Sequence, residues 1–360
     1  MRQKLVVLVA ALMAFSLIAP AAAADTGTAS QTTDTDCEYP IELTDAHGET
    51  ITLEEPPESV VTVGPSDTQT VFEIGAEDTL VGMPDNPAVD QYELGDRTAV
   101  TDDYEILHEQ IVELDPDVVL AANATFDDDI ETLRDAGLDV YHFDEANSID
   151  DVYDIVEETG QLTGECEGAD ETVDWMDDRL DIIADAVEGE DRPLAYYAMG
   201  ADGTTPGTET FLHDGVETAG LENLGERAGI QWYAELSEED IVDENPEWII
   251  HGDDADPEDV MPDVAESTTA YQEGNVLEID ASAFNQPAPQ VVYAIVDIVE
   301  EVHPDAYEEA AEGLEDRDDV DTDDTDDTDD GDADDTIPGF GVPAVITAAL
   351  VAAGFLARRR

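Results

Sequence analysis

Histidines, cysteines and carboxylates are the side chains here that could do chemistry, and their spacing limits what that chemistry can be. His47, His108, His142, His213, His251 and His303 stand singly. They lack the paired spacing or histidine-rich loop of a zinc or manganese site. Adjacent acids such as Asp102-Asp103 and Asp253-Asp254 could serve as acid and base. With 94 Asp and Glu against 11 Lys and Arg, however, composition alone produces such pairs. The chain has no glycine-rich dinucleotide or phosphate loop and no Gly-x-Ser-x-Gly elbow. No catalytic residue, resident metal or cofactor is assigned on this basis. A surface hydrolase and a structural envelope protein remain as alternatives from other classes.

The two ends say where the chain works. A basic head, an apolar run from Leu5 to Ile18 and small residues up to Ala24 predict a secretory signal over residues 1–24. At the other end, an acidic, threonine-punctuated stalk over 312–336 reads as a disordered, self-repelling linker whose threonines offer hydroxyls for O-linked sugar. It leads into the uncharged segment Ile337 to Ala357 and a final Arg358-Arg359-Arg360. That segment has about the 20 residues that cross a bilayer core, with arginines suited to the cytoplasmic side. Export makes Cys37 and Cys166, the only cysteines, a predicted disulfide that pins the leading segment to the middle of the chain.

Charge and hydropathy narrow the class. A net charge of −83 excludes nucleic acid and anionic surfaces as partners. With 42% of residues hydrophobic, the chain is not a disordered polyanion but a folded domain adapted to very high salt, where screening lengths shrink to about 3 Å.

Positioning falls to alternating strands and helices. Ser59–Val63, Asp117–Ala121 and Leu138–Tyr141 predict strands of a first lobe; Leu194–Ala198, Glu247–Ile250 and Val276–Ile279 predict strands of a second. Capping boxes at Ser66–Gln69, Ser148–Asp151 and Ser237–Asp240 predict helix starts. The segment Glu109-Gln-Ile-Val-Glu-Leu-Asp-Pro-Asp-Val-Val-Leu120 repeats as Glu239-Asp-Ile-Val-Asp-Glu-Asn-Pro-Glu-Trp-Ile-Ile250, each copy a helix, a proline stop and a buried strand. Two similar α/β lobes follow, expected at 58–147 and 191–311 after an N-terminal segment 25–57. They are joined by a helical connector 148–190 that Gly160, Gly164 and Gly168 are expected to break. In open α/β sheets ligands gather outside the carboxyl ends of the strands. That places Ser66, Asp67, Asp85, Asn86, Asp102, Asp103, Tyr104 and Asn123 at the first lobe's edge of a cleft. From the second lobe come Gly200, Trp232, Tyr233, His251, Phe284 and Asn285. Asn123-Ala-Thr125 is also a glycosylation sequon, but Asn123 is read as a ligand-facing amide.

Two resemblances add to this. Val61-Thr-Val-Gly-Pro-Ser-Asp through Val81-Gly82, the Pro-Asp-Val-Val-Leu run, and Phe211 through Asn223 resemble the periplasmic binding proteins for cobalamin and ferric siderophores, the class III solute-binding proteins of ABC importers. The resemblance spans roughly Ile41 to Tyr307. It implies two Rossmann-like lobes with parallel sheets, a ligand cleft between them, and a monomer that delivers a small molecule to ABC permease subunits. It also implies that Trp232-Tyr233 occupies a cleft-aromatic position and that Glu109 and Glu239 meet arginines on the permease pair. Few arginines among many acids disfavour an anionic catecholate chelate, so cobalamin or a related corrinoid is expected first, a hydroxamate ferric chelate second. A heme held by His251, Tyr104 or Tyr233 is a further alternative. Pro338-Gly339-Phe340 before the apolar segment is similar to the PGF-CTERM sorting signal of archaeal surface proteins, which implies that the segment is removed and replaced by a lipid; the alternative is a retained transmembrane anchor.

Overall fold

The computed structural model describes residues 37–318. The expected signal peptide, most of the expected stalk and the segment bearing Pro338-Gly339-Phe340 lie outside them. Among the described residues no helix is long and apolar enough to cross a membrane.

Two parallel sheets form the frame. In the first lobe the order is Thr98–Ala99, Leu80–Met83, Val60–Thr62, Val118–Ala121 and Val140–His142. In the second it is Glu222–Asn223, Leu194–Tyr197, Trp248–Gly252 and Val276–Ile279. Set aside the short edge strand Thr98–Ala99, and both lobes run second, first, third, fourth. The strand order therefore reverses beside the first strand of each lobe, where a crevice forms. The six sequence-predicted strands are all present; the central ones, such as Val60–Thr62, Val118–Ala121 and Leu194–Tyr197, are apolar runs buried on both faces, as parallel strands between layers require.

The repeat is equally regular. Helices His108–Leu114 and Glu238–Glu244 each end on a residue in the left-handed region, Asp115 (φ 47°) and Asn245 (φ 51°). Aspartate and asparagine tolerate that conformation better than most side chains. A proline follows each and sends the chain into the next strand.

The connector is a helix pair, Ile149–Thr163 and Cys166–Val187. Ser148 caps the first: its hydroxyl accepts from the Asp151 N–H at 3.3 Å and the Asp151 carboxylate accepts from the Ser148 N–H at 2.9 Å. Only Gly164 breaks the pair, in the left-handed region at φ 87°. Gly160 and Gly168 lie inside the helices for a different reason. A β-carbon on Gly160 would stand 2.5 Å from that of Ala169, and one on Gly168 would stand 2.0 Å from the Ile74 carbonyl oxygen. These glycines permit close packing.

One apolar core runs through the molecule rather than one per lobe. It joins Val60, Val71 and Leu120 of the first lobe, Val152, Met176 and Ile183 of the connector, and Tyr197, Phe284 and Ile298 of the second lobe. Two smaller clusters sit on the other faces of the sheets. An antiparallel hairpin, Ile41–Thr44 with Thr50–Leu53, precedes the first lobe. The disulfide Cys37–Cys166 ties the start of that segment to the connector, with Cα atoms 5.4 Å apart. The last helix, Pro304–Asp318, runs into the segment expected as stalk.

Candidate functional site

The helix after the first strand departs from expectation at its start. It begins at Pro65 with Gly64 as its cap, so Ser66 and Gln69 do not form the predicted capping box. The acid three residues past the cap is Asp67, whose carboxylate accepts from the Gly64 N–H (3.1 Å) and the Ala122 N–H (2.9 Å). It clamps two cleft-edge loops together. Burial outweighs those two hydrogen bonds and raises its pKa to about 7. Ser66 is 8% exposed and Asp67 2%, so both serve the frame rather than the open face.

Other first-lobe candidates converge. The Asp85 N–H donates to the Thr101 hydroxyl at 3.1 Å, and the buried Asn86 amide donates to the Asp103 carbonyl at 3.4 Å. Loops 83–87 and 102–104 are thus held together, with Asp103 left-handed at φ 58°. Asp102, Asp103 and Tyr104 project into solvent at the turn of a two-residue hairpin. Asn123 is exposed, and its carbonyl accepts from His142 Nε2 at 3.2 Å.

In the second lobe Gly200 is half-buried, while Trp232 and Tyr233 are each 43% exposed. Their loop is fixed by the pairing of Ala234–Glu235 with Thr204–Thr205. The Glu209 N–H also donates to the Gln231 carbonyl at 2.6 Å. Burial, and then the charge of Glu145 beyond the first lobe's last strand, raises the Tyr233 pKa.

Two second-lobe candidates fall away as well. His251 is expected in a loop, but the pairing of Trp248–Gly252 with Val276–Ile279 continues through it: His251 lies opposite Glu278 in the strand ladder, is 1% exposed, and faces the Gly252 carbonyl at 2.8 Å. Phe284 is fully buried against Tyr197, ring centres 5.4 Å apart. Neither reaches the cleft, which also removes His251 as a heme ligand. Asn285, next to Phe284, accepts from the Tyr197 hydroxyl at 2.5 Å.

The sequence did not reveal the polar seam between the lobes. Gln69 Oε1 accepts from the Gln290 N–H at 2.9 Å, and Gln69 Nε2 donates to the Ser282 carbonyl at 3.4 Å. The Gln290 amide donates to Glu73 Oε1 at 2.6 Å and to the Tyr92 hydroxyl at 2.9 Å. Gln69 and Glu73 belong to the first lobe's first helix; Gln290 begins the second lobe's helix Val291–Val302. Burial raises the Glu73 pKa. Phe126, 77% exposed beside Asn123, was also missed. An isolated phenylalanine carries no sequence signal of exposure.

Among the described residues, His213, Glu217 and Glu226 bring possible metal-ligating atoms within 4.8 Å of one another. His213 and Glu217 already have partners. The Asn223 amide, oriented by the Gly225 N–H (2.8 Å) and the Pro206 carbonyl (3.1 Å), donates to His213 Nδ1 at 3.1 Å, which leaves the proton on Nε2. Glu217 pairs with Arg192 at 2.9 Å. The arrangement is a polar cluster.

Comparison with known proteins gives a consistent picture. A family model described as periplasmic binding protein matches residues 60–283. A cobalamin-binding protein of Halobacterium salinarum is 39% identical, covering 99% of this chain and all of that protein. An uncharacterized ABC transporter substrate-binding lipoprotein of Bacillus subtilis is 25% identical over 75% of this chain and 88% of its own length. Among solved structures, a heme-binding protein has a TM-score of 0.62 at 19% identity, covering 74% of this chain and 91% of that one. A ferric hydroxamate transport protein of Saccharomonospora viridis has a TM-score of 0.60 at 22% identity, covering 74% and 99%. At those identities the structural likeness speaks to fold alone. The family model runs from the first strand of the first sheet to the helix after the last strand of the second, and the Halobacterium relative matches end to end: this chain belongs to the periplasmic binding protein family.

Proposed function

We propose that this protein is the extracytoplasmic capture subunit of an ABC importer and that its ligand is cobalamin or a related corrinoid. The observation that carries the ligand class is that, among the described residues, exposed aromatics stand at the cleft loops without a free cation beside them. The two arginines nearest the cleft loops are already engaged: Arg97 donates to the Glu77 and Glu93 carbonyls (2.7 and 3.2 Å), and Arg227 pairs with Glu222 (2.7 Å) and Glu244 (3.6 Å). An anionic catecholate chelate would find no guanidinium to pair with. Trp232, Tyr233 and Tyr104 offer flat apolar faces to a large neutral ligand. The 39% identity to a cobalamin-binding protein supports the same choice. A hydroxamate ferric chelate, which likewise lacks the anionic charge of a catecholate, is the second reading.

In this reading the protein works as a monomer, holds no cofactor of its own, and is tethered to the cell surface through its C-terminal segment. Glu109 and Glu239, both exposed at the starts of the matched helices, meet cationic side chains on the two permease subunits. Titration calorimetry at molar salt tests the ligand. Saturable binding of cobalamin without turnover is expected, and binding of a ferric hydroxamate in its place would reverse the order of the two readings.

A further inference from the structure

The matched helices carry more than their glutamates. His108–Leu114 and Glu238–Glu244 each bury one isoleucine, Ile111 and Ile241. One position further on, each presents a valine to solvent: Val112 is 40% exposed and Val242 43%. They are the only large aliphatic side chains left exposed among the described residues; the other exposed large apolar groups are aromatic. A single exposed valine on a protein surface needs no explanation. Here the repeat that aligns Glu109 with Glu239 also aligns Val112 with Val242, and residues three apart share one helix face.

We infer that Val112 and Val242 are a matched pair of apolar docking contacts, each seated against one of the two equivalent membrane subunits of the importer, in an apolar pocket beside the cation that receives the glutamate. The inference rests on the docking reading of Glu109 and Glu239. Its partner follows from the geometry: one glutamate–valine face per lobe, in lobes of identical strand order, fits a partner that offers the same pocket twice. Its need follows from the charge. A chain of net charge −83 is suited to salt so concentrated that exposed charges are screened within about 3 Å. An exposed glutamate–arginine contact loses most of its strength there, whereas burial of apolar surface is not screened. At molar salt the valines carry the larger share of docking.

The test is binding of the full extracytoplasmic protein to the host's cobalamin importer in nanodiscs, read from about 1 M to about 4 M KCl, over which the screening length falls from about 3 Å to about half that. Three double variants are compared with the unchanged protein: Val112→Ser/Val242→Ser, Val112→Leu/Val242→Leu and Glu109→Gln/Glu239→Gln. Burial of the exposed part of each valine corresponds to roughly threefold to tenfold in affinity. The serine pair should therefore lose roughly tenfold or more at the highest salt, and the leucine pair should keep full binding. The glutamine pair should be most impaired at the lowest salt and approach the unchanged protein at the highest. Unchanged binding by the serine pair at the highest salt overturns the inference, and the docking reading survives if the glutamine pair is impaired at low salt. No effect of either pair at any salt overturns both. Thermal midpoints report folding, and if the serine pair melts early, the isosteric Val112→Thr/Val242→Thr pair decides by the same criterion.

Discussion

Replacing Asp67 with asparagine should alter how stability responds to pH. In the folded protein burial holds this carboxyl at about 7, against 3.8 for the free side chain. Between those values the folded state keeps a proton that the unfolded chain has released. Stability attributable to Asp67 is therefore fully present below about pH 4 and is lost as pH rises to about 7. A difference of about three pKa units corresponds to about 4 kcal/mol, of which roughly 2 kcal/mol falls between pH 5 and 7. Salt should not erase the effect, because the group is shielded from solvent ions. The assay is denaturant unfolding at fixed molar KCl, at several pH values from 5 to 8, for both proteins. Asparagine stays neutral throughout, so the stability of the variant relative to the unchanged protein should rise by roughly 3 kcal/mol over that range. Other carboxyls, such as Glu73, contribute equally to both curves and cancel. Parallel curves would refute the reasoning, since they would mean that the hydrogen bonds from Gly64 and Ala122 compensate fully for burial of the charge.

Other changes probe the site and the frame. Trp232→Ala should weaken cobalamin binding by about 1–3 kcal/mol in calorimetry, the scale of an aromatic anchor; an unchanged affinity removes Trp232 from the site. Cys37→Ser with Cys166→Ser opens a loop with a sequence separation of 129. The loop-entropy relation gives up to about 5 kcal/mol of lost stability, measured by denaturant unfolding, and a loss below about 1 kcal/mol would show that the pin is not needed. Gly168→Ala sets a methyl 2.0 Å from the Ile74 carbonyl oxygen. It should lower the unfolding free energy by more than about 2 kcal/mol, and a neutral result would mean that the connector can shift away from the first lobe.

What the sequence settled by itself is what local signals encode. Short apolar runs rich in β-branched or aromatic residues placed all six predicted strands, and the repeated Pro116 and Pro246 stops marked the duplicated helices and the equivalence of the two lobes. The Ser148–Asp151 box located the connector's first turn, and a lone cysteine pair in a chain read as exported identified its disulfide. These signals act between neighbours in sequence, or admit only one pairing. Tertiary structure decided the rest. Three glycines in the connector look alike in sequence, yet only Gly164 ends a helix; what Gly160 and Gly168 do is set by Ala169 and Ile74, which approach them in space. His251 and Phe284 have the composition of cleft residues, but continuation of the sheet ladder and packing on Tyr197 turn them inward. The seam of Gln69, Glu73, Tyr92 and Gln290 joins groups as far as 221 residues apart. Glutamine and glutamate carry the same hydrogen-bonding groups at every position, and only the closeness of the two lobes selects which of them are buried and paired.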